Sequence, residues 1–326
     1  MNHRQKLKAL LGLAALPLVG RAAAQDFPIA GKPIRVVVGF PAGGGTDLQA
    51  RQVCEHLGPM LNATIVVDNK PGAGTMLAAM DVARSAPDGH TLLYTPSSTL
   101  GQLPHTLNVV KYDTFKDFTP ISLGALGPLV LVVHKSVGVS SVRELVAYAK
   151  AHPGKLNYVS QGLGTSSHMY GEIFCKQAGI DMVHVPYKGA NDVAKDFIAG
   201  RVHLQFASSS AAVALEKSGQ VKLLAVVAPR RSSLFPDLPT MGEQGVGGMD
   251  IESWVGWFGP AGMAPSTVAR LNGAINEVLK KPTVREEYRL GGAEAKGSTP
   301  EQFAGIVRGT YDQWGSMLQK IGFTKL

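Results

Sequence analysis

A chain of 326 residues, 45% hydrophobic and 17% charged, has the apolar mass for one large domain or two ordinary ones and is too apolar for wholesale disorder. Its 38 glycines follow no three-residue period, which excludes collagen, and two cysteines cannot build a disulfide scaffold or a four-thiolate metal site. Four of the 32 basic residues fall in residues 1–24, where no acid stands; the remaining 28 against 24 acids are scattered, with isolated pairs such as Arg230-Arg231 and Lys280-Lys281, so the net +8 does not describe a nucleic-acid surface.

In chain order, Arg4, Lys6 and Lys8 precede the apolar run Ala9–Gly20, and Ala22-Ala23-Ala24 before Gln25 has the small-x-small form of a cleavage site. The run is short for a membrane anchor, so a secretory signal peptide over 1–24 is expected, cleaved near Ala24-Gln25, with export to the periplasm. No later apolar run approaches about 18 residues, so the mature chain is expected to be soluble. Export permits a disulfide, but Cys54 and Cys175 both sit in helical patterns beside apolar neighbours, so free thiols are expected.

Ile34–Val38 is a β-branched run of the kind buried on both faces of a sheet. A helix follows over 46–60, with Leu48, Val53 and Leu57 on one face, then a strand at 64–67, a helix at 74–85 and a strand at 91–94. This alternation predicts a parallel sheet covered by helices. A second series starts after the Gly/Pro-containing stretch 124–128. Strands are expected at Leu129–Val133, Leu156–Val159, Met182–Val185, His203–Ala207 and Lys222–Val227, with helices at 141–151, 166–177, 191–199 and 211–217 between them. A Pro/Gly-rich loop runs to about 250, then a strand at Trp254–Phe258 and helices near 266–280, 283–290 and 300–320. The expected fold is α/β with two lobes, each a mostly parallel sheet flanked by helices. One lobe is discontinuous, 25–125 plus 229–326; the other, 126–228, is inserted, with two chain crossovers.

One device recurs: a strand ends, a turn of small residues follows, and a helix begins. It stands at Phe40-Pro41-Ala42-Gly43-Gly44-Gly45-Thr46-Asp47, at Pro71-Gly72-Ala73-Gly74-Thr75, and at Gln161-Gly162-Leu163-Gly164-Thr165-Ser166-Ser167-His168. Glycine admits positive φ and close backbone approach, and a helix start offers unpaired N–H groups and partial positive charge to an anion. The hydroxyls of Thr46, Thr165, Ser166 and Ser167 can cap the helices or reach a carboxylate. Any one such turn reads equally as an ordinary capped βα turn; one in each lobe makes the case for a cleft. Neither is a Walker loop or a Rossmann fingerprint. Asp47, in the first helical turn, reads as a capping acid, since an anion beside it would be repelled. Ser97 and Ser98 follow one strand and Ser208, Ser209 and Ser210 another, at the strand ends where open α/β sheets bind ligands. Tyr187 can stack on or hydrogen-bond a ligand and Lys188 can attract an anion.

Catalytic patterns are missing: no Gly-x-Ser-x-Gly, no His-Glu-x-x-His, and no His/Asp/Glu set at metal-ligand spacing. His168 stands next to Ser166 and Ser167, but neighbours on one helix point apart, which is poor geometry for a nucleophile–base pair. No cofactor, no metal and no enzymatic activity are expected.

The ordered set of motifs resembles the substrate-binding proteins of tripartite tricarboxylate transporters, the Bug family. It comprises Pro33–Val38 with Pro41–Asp47 and Ala50-Arg51, Asn69–Gly74, Pro87–Leu93, Gly164–His168 and His184–Gly189. It continues through Leu238-Pro239-Thr240 with Glu243-Gln244-Gly245 to Trp254 and Pro260-Ala261-Gly262. It covers essentially the whole mature chain. The resemblance implies a periplasmic binding protein of the type with two crossovers, capturing a small organic carboxylate between its lobes for inner-membrane permease subunits. It implies a carboxylate held mainly by backbone N–H groups, small hydroxyls and water, at residues 41–47 and 162–168, with Ser97, Ser98 and Tyr187 nearby. Many relatives carry an acid or amide where this chain has Ser208-Ser209-Ser210, so a dicarboxylate, tricarboxylate or aromatic carboxylate is expected in place of an amino acid. A monomer is expected. The alternatives are an exported hydrolase of a carboxylate or phosphate ester, and a binding protein that feeds a membrane sensor.

Overall fold

In the computed structural model, which describes residues 27–187 and 190–326, the strands divide between two sheets. The expected signal peptide and Lys188 lie outside the described residues. The chain begins with β1 (Ile34–Val38), α1 (Gly45–Leu61), β2 (Ile65–Asn69), α2 (Met76–Ala83) and β3 (Thr91–Pro96). A π-helical turn, Ser98–Gln102, leads into α3 (Leu103–Thr106) and β4 (Phe118–Leu126). The second series is β5 (Leu129–His134), α4 (Val142–Ala151), β6 (Asn157–Ser160), α5 (Ser166–Ala178), β7 (Val183–Pro186), α6 (Ala190–Ile198), β8 (Leu204–Ser208), α7 (Ser209–Glu216) and β9 (Val221–Val227). The chain returns through β10 (Trp254–Pro260), α8 (Pro265–Lys280), α9 (Pro282–Leu290), β11 (Glu294–Ala295) and α10 (Pro300–Lys320).

The first sheet has the order β11-β4-β10-β3-β1-β2 and the second β7-β6-β8-β5-β9. Each keeps a parallel set, β3-β1-β2 and β7-β6-β8. In the first sheet β10 runs antiparallel to β3 and β4, and β11 to β4; in the second β5 runs antiparallel to β8 and β9. The sheets are therefore mixed, where a mostly parallel pair was expected. β4, β5, β9 and β10 flank the two passages between sheets. A passage without a covering helix imposes no parallel direction, as a βαβ crossover does.

Both sheets are covered on two faces, and alternation along a strand sends neighbours to opposite cores. Val36 and Val38 join Val53, Leu57 and Leu271 under α1 and α8, while Val37 joins Ala79 and Phe303 under α2 and α10. In β5, Leu131 and Val133 pack with Tyr170 and Phe174 of α5, while Val130 and Val132 pack with Phe197 and Ala212. Two boundaries differ from expectation. Met241, Val246, Met249 and Ile251 join the core beside α5, so the loop after β9 stays with the second sheet instead of returning at 229. And α10 serves both sheets: Phe303 and Val307 pack with Trp254 and Phe258, whereas Trp314 and Leu318 pack with Tyr170. A helix of 21 residues is about 30 Å long, enough to reach from one core to the other. Cys54 and Cys175 are free thiols, and burial pushes each up to about 12.

Candidate functional site

The turn after β1 is shaped by one buried acid. Asp47, 1% exposed, accepts the Gly43 N–H at 2.8 Å, the Asn69 amide at 2.9 Å and the Arg51 Nε at 2.9 Å. Burial opposes its ionisation, but the bonds from Arg51, Gly43 and Asn69 prevail and hold the carboxyl below its ordinary range. Its charge is thereby spent inside the turn. Gly43 takes φ +81, so it is the glycine this turn requires; Gly44, at φ −76, sits where any residue is comfortable. No side chain caps α1 at Gly44. Phe40 and Thr46 are half-buried, and Pro41, Ala42, Gly43 and Gly44 are exposed.

Beside it, residues 72–75 carry positive φ at Gly72, Ala73, Gly74 and Thr75 in succession. Thr75 is buried, and its hydroxyl lies 2.5 Å from that of Thr99, which lies 2.6 Å from that of Thr95. Ser97 is buried and Ser98 half-buried at the start of the π-helical turn. Thr75 is marked in the sequence by its glycine turn, whereas Thr95, Thr99 and Gln102 carry no signal that distinguishes them from ordinary strand or loop residues.

On the second sheet, Gly162 and Gly164 adopt φ +134 and +72, and α5 starts from Thr165 without a side-chain cap. The expected hydroxyls are largely engaged. Thr165 Oγ1 donates to Gly162 O at 2.7 Å, Ser167 Oγ accepts from the Gln161 N–H at 3.2 Å, and Ser166 Oγ donates to Gln102 Oε1 at 2.6 Å. His168 Nδ1 accepts the Gly164 N–H at 3.1 Å, and its ring stacks on His184 at 4.0 Å. His184 lies on Tyr158 at 4.9 Å and reaches Ser160 Oγ at 2.7 Å. Desolvation brings both histidines down to about 4, with repulsion from His168 adding to the effect at His184. The second nitrogen of His168 lies 3.7 Å from Glu172, so neither ring nitrogen is directed at a serine. His168 therefore braces the turn and does not pair with Ser166 or Ser167.

The three serines after β8 divide their roles. Ser208 is exposed and caps α7 through the Ala211 N–H at 3.3 Å, and Ser209 is buried and donates to Pro128 O. Ser210 faces the first sheet's turn: a Cβ on Gly45 would lie 2.4 Å from its Oγ. A Cβ on Gly74 would likewise meet Thr165 Cγ2 at 3.5 Å. The turns at 41–47 and 72–75 thus lie against those at 162–168 and 208–210, between the two sheets. Tyr187 is turned away in part, its hydroxyl donating to Asp196 at 2.7 Å. Among the described residues no group of three His, Cys, Asp or Glu is disposed to hold a metal ion, and no helix is long and apolar enough to cross a membrane.

Residues 49–323 match the model of the tripartite tricarboxylate transporter family receptor. BugT of Bordetella pertussis is 31% identical over 324 residues, covering 97% of this chain and 98% of that protein. A protein encoded in the gbd 5' region of Cupriavidus necator is 33% identical over 317 residues, covering 97% and 94%. Among solved structures, an R. palustris protein with adipate superposes with a TM-score of 0.85 at 31% identity, over 91% of this chain and 99% of that one. MatC of Rhodopseudomonas palustris, with bound malate, gives 0.82 at 30% identity, over 89% and 100%. With both the family match and the two-sheet architecture in agreement, the chain belongs to the tripartite tricarboxylate transporter receptor family, the periplasmic solute-binding proteins that include the Bug proteins.

Proposed function

We propose that this protein binds a small organic carboxylate in the cleft between its sheets, without chemical turnover, and delivers it from the periplasm to inner-membrane transporter subunits. One observation carries the reading. Helices α4, α7 and α10 have their first N–H groups closed by Ser141, Ser208 and Thr299; of the helices without a side-chain cap, α1, α2, α3, α5, α8 and α9, the pair α1 and α5 start at turns that meet from opposite sheets, and neither has the proline that opens α8 and α9. Unclaimed N–H groups at two facing helix starts receive carboxylate oxygens. Neither turn, 41–47 nor 162–168, contains Lys or Arg, so the anion is met by backbone and small hydroxyls. Adipate and malate in proteins about 30% identical favour a dicarboxylate of four to six carbons.

Calorimetric titration with malate, adipate, citrate, benzoate and glutamate tests this. Saturable binding of at least one non-amino carboxylate is expected; folded protein that binds none of the acids overturns the proposal. Gly43→Val, which forces a β-branched residue to φ +81, should weaken binding tenfold or more, while Lys188→Ala should change it less than threefold. The reverse ranking would mean an ion pair in place of backbone capture. N-terminal sequencing of the exported protein should begin at Gln25.

A further inference from the structure

We propose that Gln102 is a positioning residue that latches the cleft shut, joining the first sheet's π-helical turn to the anion-receiving turn of the second; the proposal rests on the binding function above. Gln102 is fully buried and uses both ends of its amide across the cleft. Its Nε2 donates to Gly164 O, and its Oε1 accepts from Ser166 Oγ. Thr106, one turn further on, donates a second bond to Gly164 O at 3.1 Å. The Gly164 peptide is thereby fixed from both sides: its N–H by His168 of its own lobe, its carbonyl by two donors from the other.

The platform beneath the latch is rigid. A π-helical turn adds a residue to the α pattern and displaces its carbonyls from their usual partners. Here Tyr112 OH donates to Thr99 O and Thr114 Oγ1 to Leu100 O, so the displaced carbonyls are held by side chains. Gly101 seats the turn on α10, where a Cβ would lie 2.8 Å from Thr310 Cγ2. Past the latch, Leu326 exchanges backbone bonds with Thr106 and Asn108. Gln102 is therefore presented to the second sheet from a braced support. In the open cleft its amide and the Gly164 carbonyl are returned to water. In the closed cleft they satisfy each other, with Thr106 as a second donor to the Gly164 carbonyl.

The test compares wild type, Gln102→Ala and Gln102→Glu by small-angle scattering without ligand, and by stopped-flow and calorimetric binding of adipate and malate. Gln102→Ala should give a larger radius of gyration and, for whichever acid binds, an affinity about tenfold weaker through faster dissociation. Gln102→Glu separates a latch from a mere core residue. An ionised carboxylate repels Gly164 O, but the protonated acid restores both bonds, one as donor and one as acceptor. Burial raises the carboxyl's pKa, so this variant should be open at pH 8 and recover wild-type compactness toward pH 6, while Gln102→Ala stays open at both. The other titratable groups facing the latch are His168, with His184 and Glu172 behind it, and His105 on α3. The stacked pair stays neutral down to about 4, and burial also holds His105 below the ordinary histidine value. Scattering that is identical for wild type and Gln102→Ala, or a Gln102→Glu variant flat between pH 8 and 6, would overturn the latch whether or not either acid binds. Failure of wild type to bind any acid would overturn the binding function instead.

Discussion

Thr75 is a β-branched residue at φ +84, a conformation that costs about 1–3 kcal/mol and persists only where its surroundings enforce it. Enforcement comes from the hydroxyl of Thr99 and from Gly39, where an added Cβ would lie 2.6 Å from Thr75 Cβ. Gly39→Ala should therefore destabilise the protein by about 1–3 kcal/mol through overpacking. Thr75→Gly removes the obstructing atoms, so the double variant should lose clearly less than the sum of the singles in urea denaturation. Additive losses would show that the two residues do not share the space. The residue scale is also where the sequence was least legible. Glycines announced each turn, and the first-turn acid Asp47 announced its structural duty. Asn69 and Gln102 were silent, because their partners lie 22 and 62 positions away and no local spacing encodes such a meeting. Thr75 was legible as the end of a glycine turn, but its positive φ was not, since a β-branched residue disfavours that conformation.

Elements were more legible than residues because apolar periodicity is a property of a segment. The strand–helix alternation of both series could be read from it, but strand direction could not, nor could β11 or the π-helical turn, which are too short to show a period. The stack Tyr158–His184–His168 joins three elements, β6, β7 and α5, and makes their packing dependent on pH. Both imidazoles sit at about 4, below the ordinary 6.5. Between these values the unfolded chain takes up protons that the folded one excludes, so stability is complete above pH 6.5 and declines as pH falls toward 4. Protonation of His168 also places a proton on the Nδ1 that accepts the Gly164 N–H, so the turn at 162–168 should loosen first. His184→Phe preserves a ring in the stack and removes one titrating group. The slope of unfolding free energy against pH between 6.5 and 4 should then fall, with His168, His105 and His203 keeping their share. An unchanged slope would mean that the pair is not what titrates.

At the scale of the whole molecule, α10 is the part that makes two sheets one protein. Its first half closes the first core through Phe303 and Val307, and its last turns enter the second through Trp314 and Leu318. Between them Thr310 accepts the Trp254 indole N–H at 2.9 Å, and Gly315 lets His105 approach, since a Cβ there would lie 2.9 Å from its ring. The same helix thus carries the π-helical turn in its middle and a core at each end, so neither sheet can lose its packing without disturbing the other. The sequence predicts a helix near 300–320, but a helical pattern does not say that two different sheets divide it. Shared cores predict shared unfolding: the wild-type protein should melt in one transition with matching calorimetric and van't Hoff enthalpies. Phe303→Ala and Trp314→Ala each remove a buried aromatic group and should cost about 3–5 kcal/mol. Their effect on cooperativity is the sharper measure. Trp314→Ala cuts the second core from the helix while leaving Phe303 in the first, so the van't Hoff enthalpy should fall below the calorimetric one as the second sheet melts ahead. If Trp314→Ala melts in a single matched transition, merely at lower temperature, the coupling runs through the two strand passages at Gly127-Pro128 and 228–253 instead of through α10.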